Sequence, residues 1–332
     1  MDCNRGAILI FGGPIISKTS SLENNVKAAS VIEPGGYIPL TLAVPTYNRC
    51  SSVQALVKAI QAQAREQDEI IVSDDGSTDG TFEEASKIPG IRLVRHKQNQ
   101  DMVRNWNYCL EQARCDWICI IHDDDTLLPG GLEILRRACA LAGEPALIVP
   151  TETQTECDES FRYRFWSSGA WSVLHCPTIP SGAVIHQKIV QELGVFNPEF
   201  CYSADLEYFP RIAAHFPVVI IDSPLAVRYE LHDSNYQTKT WRKPDFYTQL
   251  EEIQRSIISY AGIEGPVAES LVHQRLTSFL EYVLREAHRR GDQILVRQYA
   301  QLLGIGRRRD VGVARSFLLK WRLHRGHRVS NT

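Results

Sequence analysis

Short apolar runs alternate with stretches of helical periodicity from about residue 37 to residue 150. The runs that indicate strands are "YIPLTLAVP", "EIIVS", "IRLVRH", "DWICII" and "PALIVP". After the first run, Val53, Leu56, Val57 and Ile60 recur at helical spacing, and helical patterns also follow the later runs. Strands that alternate with helices form right-handed βαβ units, so we expect an α/β fold with a mainly parallel, Rossmann-like sheet flanked by helices.

The rest of the chain is less regular and then becomes helical. Residues 180–200 indicate a strand, a helix and a loop, residues 203–216 indicate a helix, and residues 218–235 indicate two further strands. From about residue 245 onward the pattern is that of amphipathic helices. We therefore expect a disordered leader at residues 1–36 and a main domain at residues 37–240, with halves at 37–150 and 151–240. A helical C-terminal extension is expected at residues 241–332.

Polar clusters follow three of the predicted strands at the point where each strand ends. They are Thr46, Tyr47 and Asn48, then Asp74 and Asp75 with Gly76 and Ser77, and then Asp123, Asp124 and Asp125. In parallel sheets of this kind, ligands bind at the carboxyl ends of the strands. A single sheet would gather all three clusters around one crevice, and this is a stronger indication than any one motif.

The three consecutive carboxylates need a compensating charge if they lie in a cleft, because they raise one another's pKa. Oxygen ligands favour Mg²⁺ or Mn²⁺ over Zn²⁺, and such a metal binds phosphates. The simpler alternative is a solvated acidic turn before a helix. "SDDGSTDGT" is likewise either a helix-capping turn or a turn that binds a base and a ribose; it contains neither a P-loop nor a GxGxxG sequence.

Composition and charge place the chain among ordinary globular proteins. Nine cysteines without CxxC pairs favour reduced thiols in a cytoplasmic protein, and no apolar run approaches the roughly 20 residues that span a bilayer. The net charge is −3, yet Arg307–Arg328 carries eight Lys/Arg and one Asp around an apolar centre. This segment is typical of an interfacial helix on an anionic membrane, or is simply a solvated tail. Nothing else favours nucleic-acid binding.

Five motifs of this chain together resemble those of a known family of enzymes. "PTYNR", "VSDDGSTDGT", "NQDMVRNWNYCLEQA", "IIHDDDTLLP" and "SADLEYFPRIA", in this order and spacing, resemble the inverting family 2 glycosyltransferases. The resemblance covers about residues 38–235 and implies a GT-A-type fold, a nucleotide-diphospho-sugar donor, with UDP favoured, and Mn²⁺ or Mg²⁺ as cofactor. It implies a glycan or lipid-linked acceptor. From the cysteine usage and the basic tail we expect a cytoplasmic enzyme that is peripheral on the inner face of the cell membrane.

The resemblance also implies roles for individual residues. Nucleotide contacts fall on Pro45, Thr46, Tyr47, Asn48, Asp74, Asp75 and Asp123; metal contacts fall on Asp124, Asp125 and His232; sugar and acceptor contacts fall on Pro180, Ser181 and Gly182. Asp205, at a predicted helix start, would be the catalytic base, with a helix N-cap as its alternative role. The family often has Gly where this chain has Asp101, and Asp tolerates a left-handed backbone better than most residues.

Two other functions fit part of the pattern. A nucleotidyltransferase that makes a nucleotide-sugar shares the sheet and the metal, but usually has a Gly-rich loop with Arg or Lys after the first strand, where this chain has Thr46–Arg49. A catalytically inactive protein that binds sugar nucleotides would need no base. Nucleoside diphosphate release would distinguish a transferase from a nucleotidyltransferase, which releases pyrophosphate.

Overall fold

The computed structural model describes residues 37–150, 161–223, 225–230, 240–243 and 245–302. The predicted leader at 1–36, the basic segment Arg307–Arg328 and the predicted metal ligand His232 lie outside the described residues. Contacts between Cα atoms divide the chain into two compact units. The described part of the first unit comprises the residues up to 230 together with 255–263, and that of the second comprises 240–254, without residue 244, and 264–302.

The first half of the sheet is parallel. Its strands are β1 (Leu40–Thr46), β2 (Glu69–Asp74), β3 (Arg92–Arg95) and β4 (Trp117–Ile120), in the spatial order β3-β2-β1-β4. The helices that follow the first three strands are α1 (Val53–Gln61), α2 (Thr81–Ala85) and α3 (Met102–Gln112). All four strands run in one direction, so their carboxyl ends lie at one edge of the sheet, as the sequence predicts.

The second half of the first unit adds shorter strands and further helices. They are β5 (Thr126–Leu127), α4 (Gly131–Ala142), β6 (Leu147–Pro150), β7 (Arg162–Trp166), α5 (Ala170–His175), β8 (Val184–His186), α6 (Gln187–Leu193), α7 (Ala204–His215), β9 (Val218–Ser223) and β10 (Val227–Arg228). The sheet continues β4-β8-β6-β9-β7. β8 runs antiparallel to β4 and β6, and β7 runs antiparallel to β9. β5 and β10 form a separate antiparallel ribbon.

The resulting architecture confirms the predicted fold class. Six of the eight strands that the described residues contribute to this sheet point the same way, and helices flank it. The apolar positions that predicted α1 are all buried, against side chains of β1 such as Leu42 and Val44. Each such buried side chain contributes about 1.5–3 kcal/mol of hydrophobic stabilisation, which fixes the helix on the sheet.

The second unit is helical, as the sequence predicts. It contains α8 (Phe246–Tyr260) as far as Gln254, and the whole of α9 (Gly265–Arg289) and α10 (Gln293–Leu302). On α9 the buried positions include Val272, Leu276, Phe279 and Val283, which recur every three or four residues. Within the described ranges, no helix combines the length and the apolar composition needed to cross a membrane.

Candidate active site

The ends of β1 and β2 are joined by backbone and side-chain hydrogen bonds. The Asp75 amide donates to the Thr46 carbonyl at 2.9 Å. Asn48 has a left-handed backbone, with φ of 52°; its amide donates to Ser77 Oγ at 2.8 Å, and its side-chain oxygen accepts from the Thr78 amide at 2.9 Å. The structure therefore brings the first two predicted polar clusters together, while the Tyr47 ring stays 43% exposed.

The two carboxylates after β2 are buried and bound by the chain itself. Asp74 accepts from the Ser77 amide at 3.3 Å and lies 3.5 Å from Arg95 Nε. Asp75 accepts from the amides of Gln100 and Asp101, at 2.8 and 3.2 Å. Burial raises the pKa of Asp75. Asp75 therefore fixes the loop before α3, and its predicted contact with a nucleobase stays a prediction.

Asp101 has a backbone conformation that glycine adopts more readily than other residues. Its φ of 93° is positive, as expected, but its ψ of 163° lies outside the left-handed helical region and in one that is nearly reserved for glycine. The Asp101 carboxylate compensates as the N-cap of α3: it accepts from the Arg104 amide at 3.0 Å and pairs with the Arg104 side chain. These contacts hold the turn in a conformation different from the left-handed helical one that was expected.

Arg49 joins the third acidic cluster to the end of β1. Its Nε lies 3.4 Å from Asp123 Oδ1 and its Nη2 lies 3.3 Å from Asp124 Oδ2. The sequence pattern alone assigns no role to Arg49. Its position could have suggested a role, because Arg49 directly follows Asn48, the last residue of the first polar cluster, and that cluster was expected to share a crevice with the acidic ones.

Asp123 is largely buried beside this guanidinium. Burial raises the pKa of the Asp123 carboxyl to about 7, against the opposing effects of the Thr46 hydroxyl and of Arg49. A buried carboxyl with a pKa near neutrality can accept a proton or a hydrogen bond at physiological pH, and such groups are concentrated at functional sites. Its predicted contact with a ribose stays a prediction.

His122, Asp124 and Asp125 form a group that fits a divalent metal ion. One ligand atom from each lies within 4.8 Å of the others. Two buried polar atoms of this group, Asp125 Oδ2 and His122 Nε2, have no hydrogen-bond partner within the described residues. Imidazole and carboxylate groups both bind Mn²⁺. The predicted ligands Asp124 and Asp125 thus lie together. His122 is a third candidate ligand, which the sequence pattern did not indicate.

The position of His122 is set by packing on both sides of the acidic cluster. Its ring stacks on Trp106 of α3, with ring centroids 4.9 Å apart, and its amide donates to Ser181 Oγ at 3.1 Å. Burial lowers the pKa of His122, which favours the neutral imidazole that a metal requires. In the sequence, His122 directly precedes three carboxylates, and this position was the signal that could have indicated a metal ligand.

Asp125 fastens the segments that surround the cluster. Its Oδ1 accepts from the Glu230 amide at 3.0 Å, just beyond β10. Ser181 is buried behind the cluster, and Gly182 has φ of 80° with Val227 only 2.9 Å from where a Cβ would lie. Ser181 therefore adjoins the cluster through the amide of His122, and the predicted contacts of Pro180, Ser181 and Gly182 with a sugar and an acceptor stay predictions.

Asp205 lies in the first turn of α7 and is partly buried. Burial raises the pKa of its carboxyl to about 7. No hydrogen bond or ion pair joins Asp205 to the acidic cluster within the described residues, so its predicted role as base stays a prediction. Arg211, on the same helix, is structural: it pairs with Glu207 at 2.8 Å and donates to the carbonyls of Leu193 and Val195.

Tryptophan rings can stack on sugars, and the tryptophans that the structure describes differ in their exposure to solvent. Trp106, Trp166 and Trp241 are at most 7% exposed and belong to the packed interior. Trp171 is 39% exposed on α5 and stacks on His175, with centroids 3.8 Å apart. Trp171 is therefore the tryptophan of this set whose ring face a glycan could reach.

Comparison with known proteins decides the family. A sequence model described as Glycosyl transferase family 2 matches residues 41–164. An uncharacterised protein of Mycobacterium tuberculosis, MT1568, is 37% identical over 225 residues, which are 60% of this chain and 70% of that protein. The chain belongs to glycosyltransferase family 2.

Other relatives match this glycosyltransferase over shorter stretches. A Campylobacter jejuni protein named GalNAc(5)-diNAcBac-PP-undecaprenol beta-1,3-glucosyltransferase is 35% identical over 104 residues, 29% of this chain and 33% of that protein. The chain therefore spans only about a third of the length of this relative.

Solved structures show the same GT-A-type fold. S. aureus TarS in complex with UDP-GlcNAc superposes with a TM-score of 0.58 at 14% identity, over 75% of each chain. The mannosyltransferase PcManGT from Pyrobaculum calidifontis, in complex with GDP-Man and Mn²⁺, superposes with a TM-score of 0.52 at 16% identity, over 86% of this chain and 84% of that one.

Proposed function

We propose that this glycosyltransferase moves a sugar from a nucleoside diphosphate sugar, with a UDP-sugar favoured, to an acceptor hydroxyl, with inversion at the anomeric carbon and with a divalent metal as cofactor. The observation that carries the proposal is the meeting of three strand ends at one edge of the sheet. There Arg49 reaches Asp123 and Asp124, and Asp124 forms with His122 and Asp125 a group that could hold a metal ion. UDP-GlcNAc and GDP-Man in the structural neighbours support this class of donor.

Different residues would contact the nucleoside and the diphosphate of the donor. Tyr47, exposed beside the ends of β1 and β2, offers a ring face to the base, and Asp123 offers a carboxyl to the ribose. Mn²⁺ or Mg²⁺ held by His122, Asp124 and Asp125 would supply positive charge for the departing diphosphate. An imidazole among the ligands favours Mn²⁺ over Mg²⁺, which prefers an all-oxygen shell.

Asp205 would act as the general base. Its carboxyl, with a pKa of about 7, is close to the optimum for accepting a proton at physiological pH. It would take the proton of the acceptor hydroxyl as the oxygen attacks the anomeric carbon from the face opposite the diphosphate. The bond from the anomeric carbon to the acceptor oxygen forms as the bond to the diphosphate breaks, so one displacement inverts the configuration.

Binding of the donor tests the proposal directly. Sugars linked to UDP, GDP and dTDP are screened for thermal stabilisation with and without Mn²⁺. A donor at a hundred times its Kd should stabilise the wild type by about 2.7 kcal/mol, and only when Mn²⁺ is present. Asp124→Asn should lose this effect, while Glu83→Gln, which changes an exposed carboxylate on α2, should keep it. Stabilisation by none of the donors would refute the proposed function.

The acceptor is proposed to be a growing glycan or a lipid-linked glycan at the cytoplasmic face of a membrane. The undecaprenol-linked substrate in the name of the C. jejuni relative and the basic composition of Arg307–Arg328 support this. The full chain should sediment with anionic vesicles at low salt, and a chain lacking that segment should not. Equal recovery of both would contradict the membrane proposal.

A further inference from the structure

Arg49 is held by its backbone, and its guanidinium is partly exposed to solvent. The Arg49 amide donates to Thr81 Oγ1 at 2.8 Å, next to the left-handed residue Asn48. The side chain extends from this anchor to the acidic cluster and remains one-third exposed. A long side chain with a fixed origin and a partly solvated end can exchange one anionic partner for another at little cost.

The partners of Arg49 overlap with the candidate metal ligands. Its Nη2 lies 3.3 Å from Asp124 Oδ2, and Asp124 is also a member of the group with His122 and Asp125. A guanidinium and a divalent cation that share one carboxylate repel each other. Arg49 must therefore weaken the binding of a metal to this group whenever it is paired with Asp124.

A diphosphate changes this balance, because it offers the guanidinium a better partner. Arginine binds phosphate oxygens through two parallel N–H bonds, whereas its present contacts to Asp123 and Asp124 are long, at 3.4 and 3.3 Å. Moving to the diphosphate would take this competing cation away from Asp124. The metal and the donor would then bind cooperatively, since each removes an obstacle to the other.

We infer that Arg49 is a positioning residue that couples metal binding to donor binding: it occupies Asp123 and Asp124 until a nucleoside diphosphate draws it away. The inference rests on the proposed function of this site. It predicts that loss of Arg49 changes two affinities in opposite directions, which a residue that only supports the fold would not do.

The test measures Mn²⁺ binding by electron paramagnetic resonance, and UDP and GDP binding by calorimetry at saturating Mn²⁺. In Arg49→Gln, Mn²⁺ alone should bind about tenfold more tightly, since a nearby positive charge has been removed. The nucleoside diphosphate should bind at least about tenfold more weakly, since a charge-assisted contact has been lost. Arg49→Lys keeps the charge and should stay close to the wild type for Mn²⁺.

Arg65→Gln is the matched control, because Arg65 is an exposed arginine whose ion pair with Glu133 lies outside the cluster. It should leave both affinities unchanged. An Mn²⁺ affinity of Arg49→Gln that is equal to or weaker than that of the wild type overturns the inference alone. A wild type that binds neither Mn²⁺ nor a nucleoside diphosphate overturns the proposed function as well. Circular dichroism establishes that each variant is folded. If Arg49→Gln is not, Arg49→Met, which also removes the charge from a long side chain, takes its place with the same two expected changes in affinity.

Discussion

Replacing Asp205 by Asn should stabilise the protein at alkaline pH while removing its transferase activity. Burial raises the pKa of this carboxyl from 3.8 to about 7. The folded protein therefore holds the proton more tightly than the unfolded chain, so the contribution of Asp205 to stability falls as pH rises from about 4 to about 7. At about 1.4 kcal/mol per pKa unit, the ionised carboxylate costs at most about 4 kcal/mol, and less because Asp205 is partly exposed.

Urea unfolding at about pH 5 and about pH 8 measures this cost, with the stability advantage of Asp205→Asn expected to grow by about 2 kcal/mol between the two. Glu83→Gln, an exposed carboxylate in the first turn of α2, is the control and should show no such growth. The kcat/KM of the wild type should rise with pH through about 7, because the base must be ionised. An advantage of Asp205→Asn that is the same at both pH values would refute the raised pKa and, with it, the reason for choosing Asp205.

Two further substitutions test the environment of the site. Asp101→Ala keeps a backbone conformation that costs about 1–3 kcal/mol and loses the cap, whereas Asp101→Gly loses the cap but removes the strain. In denaturant unfolding, Gly should therefore be more stable than Ala at this position, and the reverse order would contradict the role of the backbone. Trp171→Ala should raise the KM for the acceptor about tenfold, the loss of one stacking contact, and leave hydrolysis of the donor unchanged. Trp171→Phe should restore much of the affinity, and an unchanged acceptor KM in Trp171→Ala would exclude stacking there.

The parallel half of the sheet was predictable because its strands are distinct apolar runs separated by helical patterns. β1 and β4 are buried along their full lengths and read as continuous hydrophobic stretches. The remaining strands were harder to predict for a physical reason. β8 has three residues and β5 and β10 have two each, so the direction and pairing of these strands depend on tertiary contacts, not on periodicity.

The site was predictable to the extent that strand ends determine it. The polar clusters after β1, β2 and β4 do lie at one edge, because parallel strands end together. Arg49 and His122 escaped prediction because a long side chain bridges to a carboxylate 75 positions away in one case and a ring is oriented by stacking in the other. The spacing of residues along the chain predicts neither of these contacts.

We propose that separate acidic segments converge on one crevice and hold a diphosphate through a metal. The anomalous scattering of Mn²⁺ in a crystal grown with Mn²⁺ and UDP locates the ion most directly. We expect one Mn²⁺ between His122, Asp124 and Asp125, in contact with the diphosphate, and Asp205 facing the same crevice. An ion bound elsewhere, or a carboxylate of Asp205 that faces a different surface, would contradict it.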